Sequence, residues 1–203
     1  MKFPSLKVVL LSATLWLPFY AYSAENILVF GDSLSAGYGI PVEKNWVNLL
    51  QQELKRTKSE FGVVNASISG ETTSGGKQRI DNALKQHNPA IVIVELGAND
   101  GLRGYKLADT EANLGNIITQ SHNSGAKVLL VGMKLPPNYG AGYTKSFREL
   151  YSRLANKHHI LLVPFLLRGV TRDQFQRDNL HPTADAQQRI MLNVLQELKH
   201  LLH

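Results

Sequence analysis

The chain has 203 residues, of which 43% are hydrophobic, 19% charged and 8% aromatic, with 16 Gly and 8 Pro, a balance that excludes disordered, collagen-like and long coiled-coil proteins. It contains no cysteine, which removes disulfide frameworks, iron–sulfur clusters and a thiol nucleophile together. The net charge of +6 is dispersed, with Lys55, Arg56 and Lys58 as its densest group, whereas a nucleic-acid-binding protein needs a concentrated basic face.

Residues 1–24 read as a leader rather than as part of the fold. Lys2 and Lys7 precede a mostly apolar stretch from Val8 to Tyr22, and Ala21-Tyr22-Ser23-Ala24 supplies small residues for cleavage, the order of a secretory signal peptide. An uncleaved anchor is the alternative, but the stretch is short against the ~20 residues that span a bilayer. Removal of Lys2 and Lys7 lowers the net charge from +6 to +4. Export of a cysteine-free chain suits the bacterial periplasm, and residues 25–203 are expected to form one domain without a stable membrane anchor.

From there, short apolar runs alternate with helical stripes. Strands are expected at Ile27–Phe30, Val63–Val64, Ile91–Leu96, Val128–Val131 and Ile160–Val163. Between them, helical spacing links Trp46, Val47, Leu50 and Leu54; Ser74 to His87 forms a polar-faced helix; Leu114, Ile117 and Ile118 mark a helix stopping at Gly125; and Phe147, Leu150, Tyr151 and Leu154 mark another. Ile190, Met191, Val194, Leu195, Leu198 and Leu201 define a closing helix. Unbroken apolar strands imply burial on both faces, and strands separated by helices imply right-handed crossovers. The expected fold is a three-layer α/β/α sandwich with about five parallel strands. Ligands of such sheets bind beyond the carboxyl ends of the strands.

The first strand runs into Gly31-Asp32-Ser33-Leu34-Ser35, where a serine at a strand-to-helix turn can expose its hydroxyl or simply cap the helix. A serine nucleophile needs a base. Asp178-Asn179-Leu180-His181-Pro182 places a carboxylate three residues before an imidazole, close enough to orient it, and Pro182 keeps His181 out of helical geometry. The other six histidines fall on helix tails or polar faces and are expected to be solvated. Gly70 after the second strand and Asn99 after the third are candidate donors to an oxyanion, or else ordinary turn residues. Leu102 and the Leu135-Pro136 pair offer apolar contact beside them for an acyl chain.

Gly31-Asp32-Ser33-Leu34-Ser35, Gly70, Gly97-x-Asn99-Asp100 and Asp178-x-x-His181 resemble, in order, the four sequence blocks of the GDSL or SGNH hydrolases. Gly97 to Gly104 and Leu135 to Gly140 are similar to the family's exported bacterial thioesterase, lysophospholipase and arylesterase subgroup. The resemblance implies a flavodoxin-like sandwich with strand order 2-1-3-4-5. It implies Ser33 as nucleophile, His181 as base, Asp178 as its partner, and an oxyanion hole from the Ser33 backbone, Gly70 and Asn99. Neither metal nor organic cofactor is expected; the expected partner is a small acyl ester or thioester substrate, and the protein is expected to act as a monomer. A carbohydrate O-deacetylase and a non-catalytic acyl carrier remain as alternatives. Gly70 to Lys77 superficially suggests a phosphate loop, but the glycine before Lys77 comes one residue late and Gln78 follows where a hydroxyl is needed. Asp32, Asp100 and Asp173 compete with Asp178 for the third position, the first two being expected to order their own loops.

Overall fold

Every side chain from Ile27 to Phe30 and from Ile91 to Val94 is fully buried, because these runs form two of the three inner strands of a sheet covered on both faces. The structure, a computed structural model, describes residues 25–202, and the expected leader lies outside the described residues. The strands are β1 (Asn26–Gly31), β2 (Gly62–Asn65), β3 (Ile91–Glu95), β4 (Lys127–Val131) and β5 (Leu161–Val163). They are all parallel, in the order β2-β1-β3-β4-β5. The sheet therefore matches the expectation in strand number, direction and order.

The helices are α1 (Ser33–Ala36), α2 (Trp46–Arg56), α3 (Thr73–His87), α4 (Ala98–Leu102), α5 (Leu107–Asn123), α6 (Ala141–His158) and α7 (Gln187–Leu198). On one face α3 packs on α5 and α5 on α6, while α2 and α7 pair on the other. The helix expected to end at Gly125 is preceded by a separate short one, α4, because Gly104 turns the chain at φ 67° between them. The closing helix ends at Leu198, and Leu201 follows it in a turn.

One histidine departs from expectation. His158 is half-buried, and its Nε2 is shielded without a hydrogen-bond partner. That nitrogen faces Gly115 on α5, where a Cβ would meet it at an ordinary contact distance of 3.6 Å. Burial first, then the charges of Lys157 and His122, push its pKa down, so this ring packs as a neutral group.

Candidate active site

The switch point of the sheet lies between β1 and β3, whose following loops run in opposite directions, and the candidate residues converge there. Gly31 ends β1 opposite Glu95 of β3. A Cβ on Gly31 would lie 2.7 Å from Glu95 Oε2 and 2.8 Å from Ser35 Oγ, so only glycine lets the chain turn above that carboxyl. Asp32 then caps α1, its Oδ1 accepting from the Leu34 N–H at 3.0 Å, and Ser33 is the first helical residue, partly exposed.

The C-terminal loop brings the second group. The Asp178 Oδ1 accepts the backbone N–H of Leu180 at 2.9 Å and of His181 at 3.0 Å, which closes the turn between them. The Gln176 N–H donates to the His181 carbonyl at 2.8 Å, and Phe175 bridges to Pro182, holding the loop as a narrow antiparallel pair. His181 Nδ1 lies 2.7 Å from Asp178 Oδ2, and His181 Nε2 lies 2.8 Å from Ser33 Oγ. A carboxylate only accepts, so Nδ1 carries the hydrogen and Nε2 is left to accept the Ser33 hydroxyl. Burial alone would raise the Asp178 pKa, but the N–H groups of His181, its imidazole and the Leu180 N–H outweigh it and bring it down to about 2. Tyr38 lies against the imidazole, ring centroids 4.5 Å apart, a contact that sequence spacing alone does not reveal.

The expected donors flank Ser33. Gly70 adopts φ 78°, a conformation that a side chain would strain. Neither its N–H nor that of Ser33 donates a hydrogen bond among the described residues. Asn99 differs from the simple expectation, since its amide nitrogen already donates to Asp32 Oδ2 at 3.1 Å and to the Glu71 carbonyl at 3.0 Å. Glu71 is itself fixed by Arg79, 2.6 Å away, and Arg79 also reaches the Ala66 carbonyl and covers the Phe30 ring. Asp32 orders its own loop as expected, through the Leu34 N–H, and also reaches across the sheet edge to Asn99, whereas Asp100 departs from the expectation and reaches across to another loop. Asp100 accepts from Thr73 N–H at 2.9 Å and from its hydroxyl. The N-terminus of α3 is thus already occupied by a carboxylate, which excludes the phosphate-loop reading of Gly70 to Lys77.

A model of the GDSL-like Lipase/Acylhydrolase family matches residues 29–189. The chain belongs to that family. As a GDSL acylhydrolase it is 44% identical over 182 residues to Esterase TesA of Pseudomonas aeruginosa, covering 89% of this chain and 90% of the relative. It is 40% identical over 189 residues to the Thioesterase 1/protease 1/lysophospholipase L1 of Escherichia coli K12, covering 92% and 89% of the two chains. A crystal structure of the psychrotrophic esterase EstA from Pseudoalteromonas sp., inhibited by monoethylphosphonate, superimposes with a TM-score of 0.84 at 37% identity, covering 88% of this chain and 98% of that one. The chain is a serine ester hydrolase.

In this GDSL hydrolase a cavity of about 540 Å³ opens beside Ser33, within the range that takes a small organic ligand. Leu102, Leu135 and Pro136 line it, together with Met133, Phe165 and Leu167. Phe165 and Leu167 follow β5, so the strand-end rule would have found them had it been applied to the fifth strand as it was to the third. No cluster of potential metal ligands occurs among the described residues, and no described helix is long and apolar enough to cross a membrane.

Proposed function

We propose that the chain hydrolyses acyl esters and thioesters through an acyl-enzyme on Ser33, with His181 as base, Asp178 as its partner, and the Ser33 N–H, the Gly70 N–H and the Asn99 amide as oxyanion donors. The observation that carries this reading is the 2.8 Å contact of Ser33 Oγ with an imidazole whose other nitrogen is held by a carboxylate, beside a largely apolar cavity. A binding protein for acyl chains has no use for that alignment, and a deacetylase of sugars has no use for a cavity walled by Leu102, Leu135, Phe165 and Leu167. Ser33 Oγ attacks the carbonyl carbon while Nε2 takes its proton. The tetrahedral oxyanion is met by the Ser33 and Gly70 N–H groups, which need no reorganisation, and by Asn99, which must share the hydrogen it gives Asp32. Collapse expels the alcohol or thiol, which receives the proton from His181. Water then repeats the sequence on the acyl-enzyme, releasing the acid and restoring Ser33.

The substrate reading is a medium or long acyl chain carried by a thiol, an aryl alcohol or a lysophospholipid. It is supported by the apolar cavity lining, by the E. coli relative's name for the thioester and the lysophospholipid, and by the subgroup resemblance for the aryl ester. Residues 1–24 direct export to the periplasm, where acyl-CoA is scarce, so a lipid or exogenous ester is the natural substrate in this reading; the enzyme acts as a monomer. A fluorophosphonate probe is expected to label the wild-type chain at Ser33 and to leave Ser33→Ala unlabelled, with p-nitrophenyl butyrate hydrolysed only by the former. Labelling elsewhere, or none with turnover intact, overturns the assignment.

The acyl-chain wall has its own test. Leu135 is half-exposed and packs over Gly101, where a Cβ would come within 2.7 Å of its Cδ2. Truncation to Ala removes roughly 1–2 kcal/mol of apolar contact, or about tenfold in kcat/KM for p-nitrophenyl decanoate. The acetate ester, too short to reach it, should change by less than about threefold. Equal losses for both esters would remove Leu135 from the acyl site.

A further inference from the structure

Beneath the oxyanion donors lie two buried carboxyl groups that the reaction above does not use, Asp32 at 1% exposure and Glu95 at 0%. Neither forms an ion pair with Lys, Arg or His among the described residues. Their hydrogen bonds divide them. Asp32 accepts on both oxygens, from Leu34 N–H at the start of α1 and from the Asn99 amide at 3.1 Å. Glu95 accepts on Oε2 only, from the Ser35 hydroxyl at 2.7 Å and the Asp32 N–H at 3.3 Å. Its Oε1 is fully shielded and has no partner. A buried charge with one unserved oxygen is far costlier than a neutral acid in the same place, and a second unpaired negative charge on Glu95, whose Oε2 lies 3.3 Å from the Asp32 nitrogen, would repel Asp32 strongly in a medium of low polarisability.

We propose that Glu95 stays protonated in the working enzyme, leaving Asp32 as the single charged acceptor that positions the Asn99 amide for the oxyanion. The inference rests on Asn99 being an oxyanion donor, as read above. The groups that face the pair are few. His181 and Asp100 act on Asp32, while Tyr151 from α6 stands near both carboxyls. The Tyr151 hydroxyl donates to the Leu96 carbonyl at 3.0 Å, so its hydrogen is already committed. Burial, then the charge of Asp32, pushes Glu95 well above the carboxylate range. Burial also lifts Asp32, to about 6, against the opposing pull of Leu34 N–H, His181 and Asn99. The consequence for catalysis is electrostatic. One negative charge below the site attracts the imidazolium formed during attack and orients Asn99, whereas a second would oppose the oxyanion itself.

Asp32 and Glu95 therefore act as positioning residues, and the test separates protonation from activity. Infrared difference spectra at pH 8 should show the C=O band of a buried protonated carboxylic acid in the wild-type enzyme and in Asp32→Asn, and none in Glu95→Gln. Absence of the band from the wild type, or its survival in Glu95→Gln, overturns the proposal whatever the kinetics. Glu95→Gln keeps a neutral group of the same shape and should hold kcat within about threefold of wild type, where Glu95→Ala loses about tenfold or more. Should Glu95→Ala fail to fold, the glutamine variant still decides. In Asp32→Asn the new amide turns a donor toward Asn99, and kcat for p-nitrophenyl butyrate should fall about 10²-fold with KM within threefold, the scale of a lost oxyanion donor. A kcat within threefold in Asp32→Asn, with normal fluorophosphonate labelling of Ser33, refutes the positioning role and leaves the acyl-enzyme reading standing. Loss of labelling in the wild type itself would instead remove the reading on which this rests.

Discussion

Ser33→Ala is expected to lower kcat for p-nitrophenyl butyrate by about 10⁴–10⁶-fold, the scale on which removal of an activated serine acts in enzymes of this kind. The size follows from the lack of a substitute. Ser35 sits two residues on, but it is completely buried and its hydroxyl is committed to Glu95 at 2.7 Å. Ser69 lines the cavity, yet no imidazole is within hydrogen-bond distance of it among the described residues. The loss is chemical rather than structural. Among the described residues the Ser33 hydroxyl has no hydrogen bond other than that to His181, at a partly exposed site, so its deletion should cost about 1 kcal/mol or less. A melting temperature within a few degrees of wild type, with turnover at the level of the remaining donors, is the expected pair of results. A variant that retains more than about 1% of kcat would show that another group attacks the carbonyl.

The alternation of apolar runs with helical stripes made the sheet legible, because strands buried on both faces cannot disguise themselves with polar residues. Ile27–Phe30 and Ile91–Val94 are the plainest cases, each fully buried. The edge strands β2 and β5 are the shortest in the structure, at 4 and 3 residues, but the expected run Ile160–Val163 was as long as Ile27–Phe30 and did not mark an edge. The serine, the histidine and its aspartate were legible for a local reason, the turn chemistry of Gly31-Asp32-Ser33 and of Asp178 to Pro182. What remained hidden depends on contacts between distant segments. Glu95 stands unmarked inside the expected strand Ile91–Leu96, and only the register that sets it opposite Gly31 shows why that glycine has no side chain. Asn99 was a candidate donor, but that both of its amide hydrogens are already engaged follows from loops 67 and 28 residues away. His158 was misplaced for the same reason, since the half-burial of its ring comes from packing beside Gly115 on another helix.

Asp178→Asn should lower kcat by about 10²–10⁴-fold, whereas Asp173→Asn should leave it within about threefold. The new side chain keeps an oxygen for the N–H groups of Leu180 and His181, so the turn itself can persist. Its amide nitrogen then faces Nδ1, and the imidazole relieves that clash by moving its hydrogen to Nε2. Ser33 is left beside a donor that cannot take its proton, and the charge that steadies the imidazolium is gone as well. The lower part of the range allows for solvent, because the Asp178 side chain is 38% exposed and water screens part of its charge. Asp173 is exposed, and its carboxylate is lowered chiefly by a hydrogen bond from Thr171, with no bond to His181. The measurement belongs near pH 8. The folded-state value of Asp178, about 2 against an ordinary 3.8, means that its stabilisation is complete above about pH 4 and is lost as pH falls toward 2. At pH 8 neither variant differs from wild type through titration of this carboxyl, so a rate difference reports the state of the imidazole. Equal rates for Asp178→Asn and wild type, or a larger loss in Asp173→Asn, would move the partner of His181 to another residue.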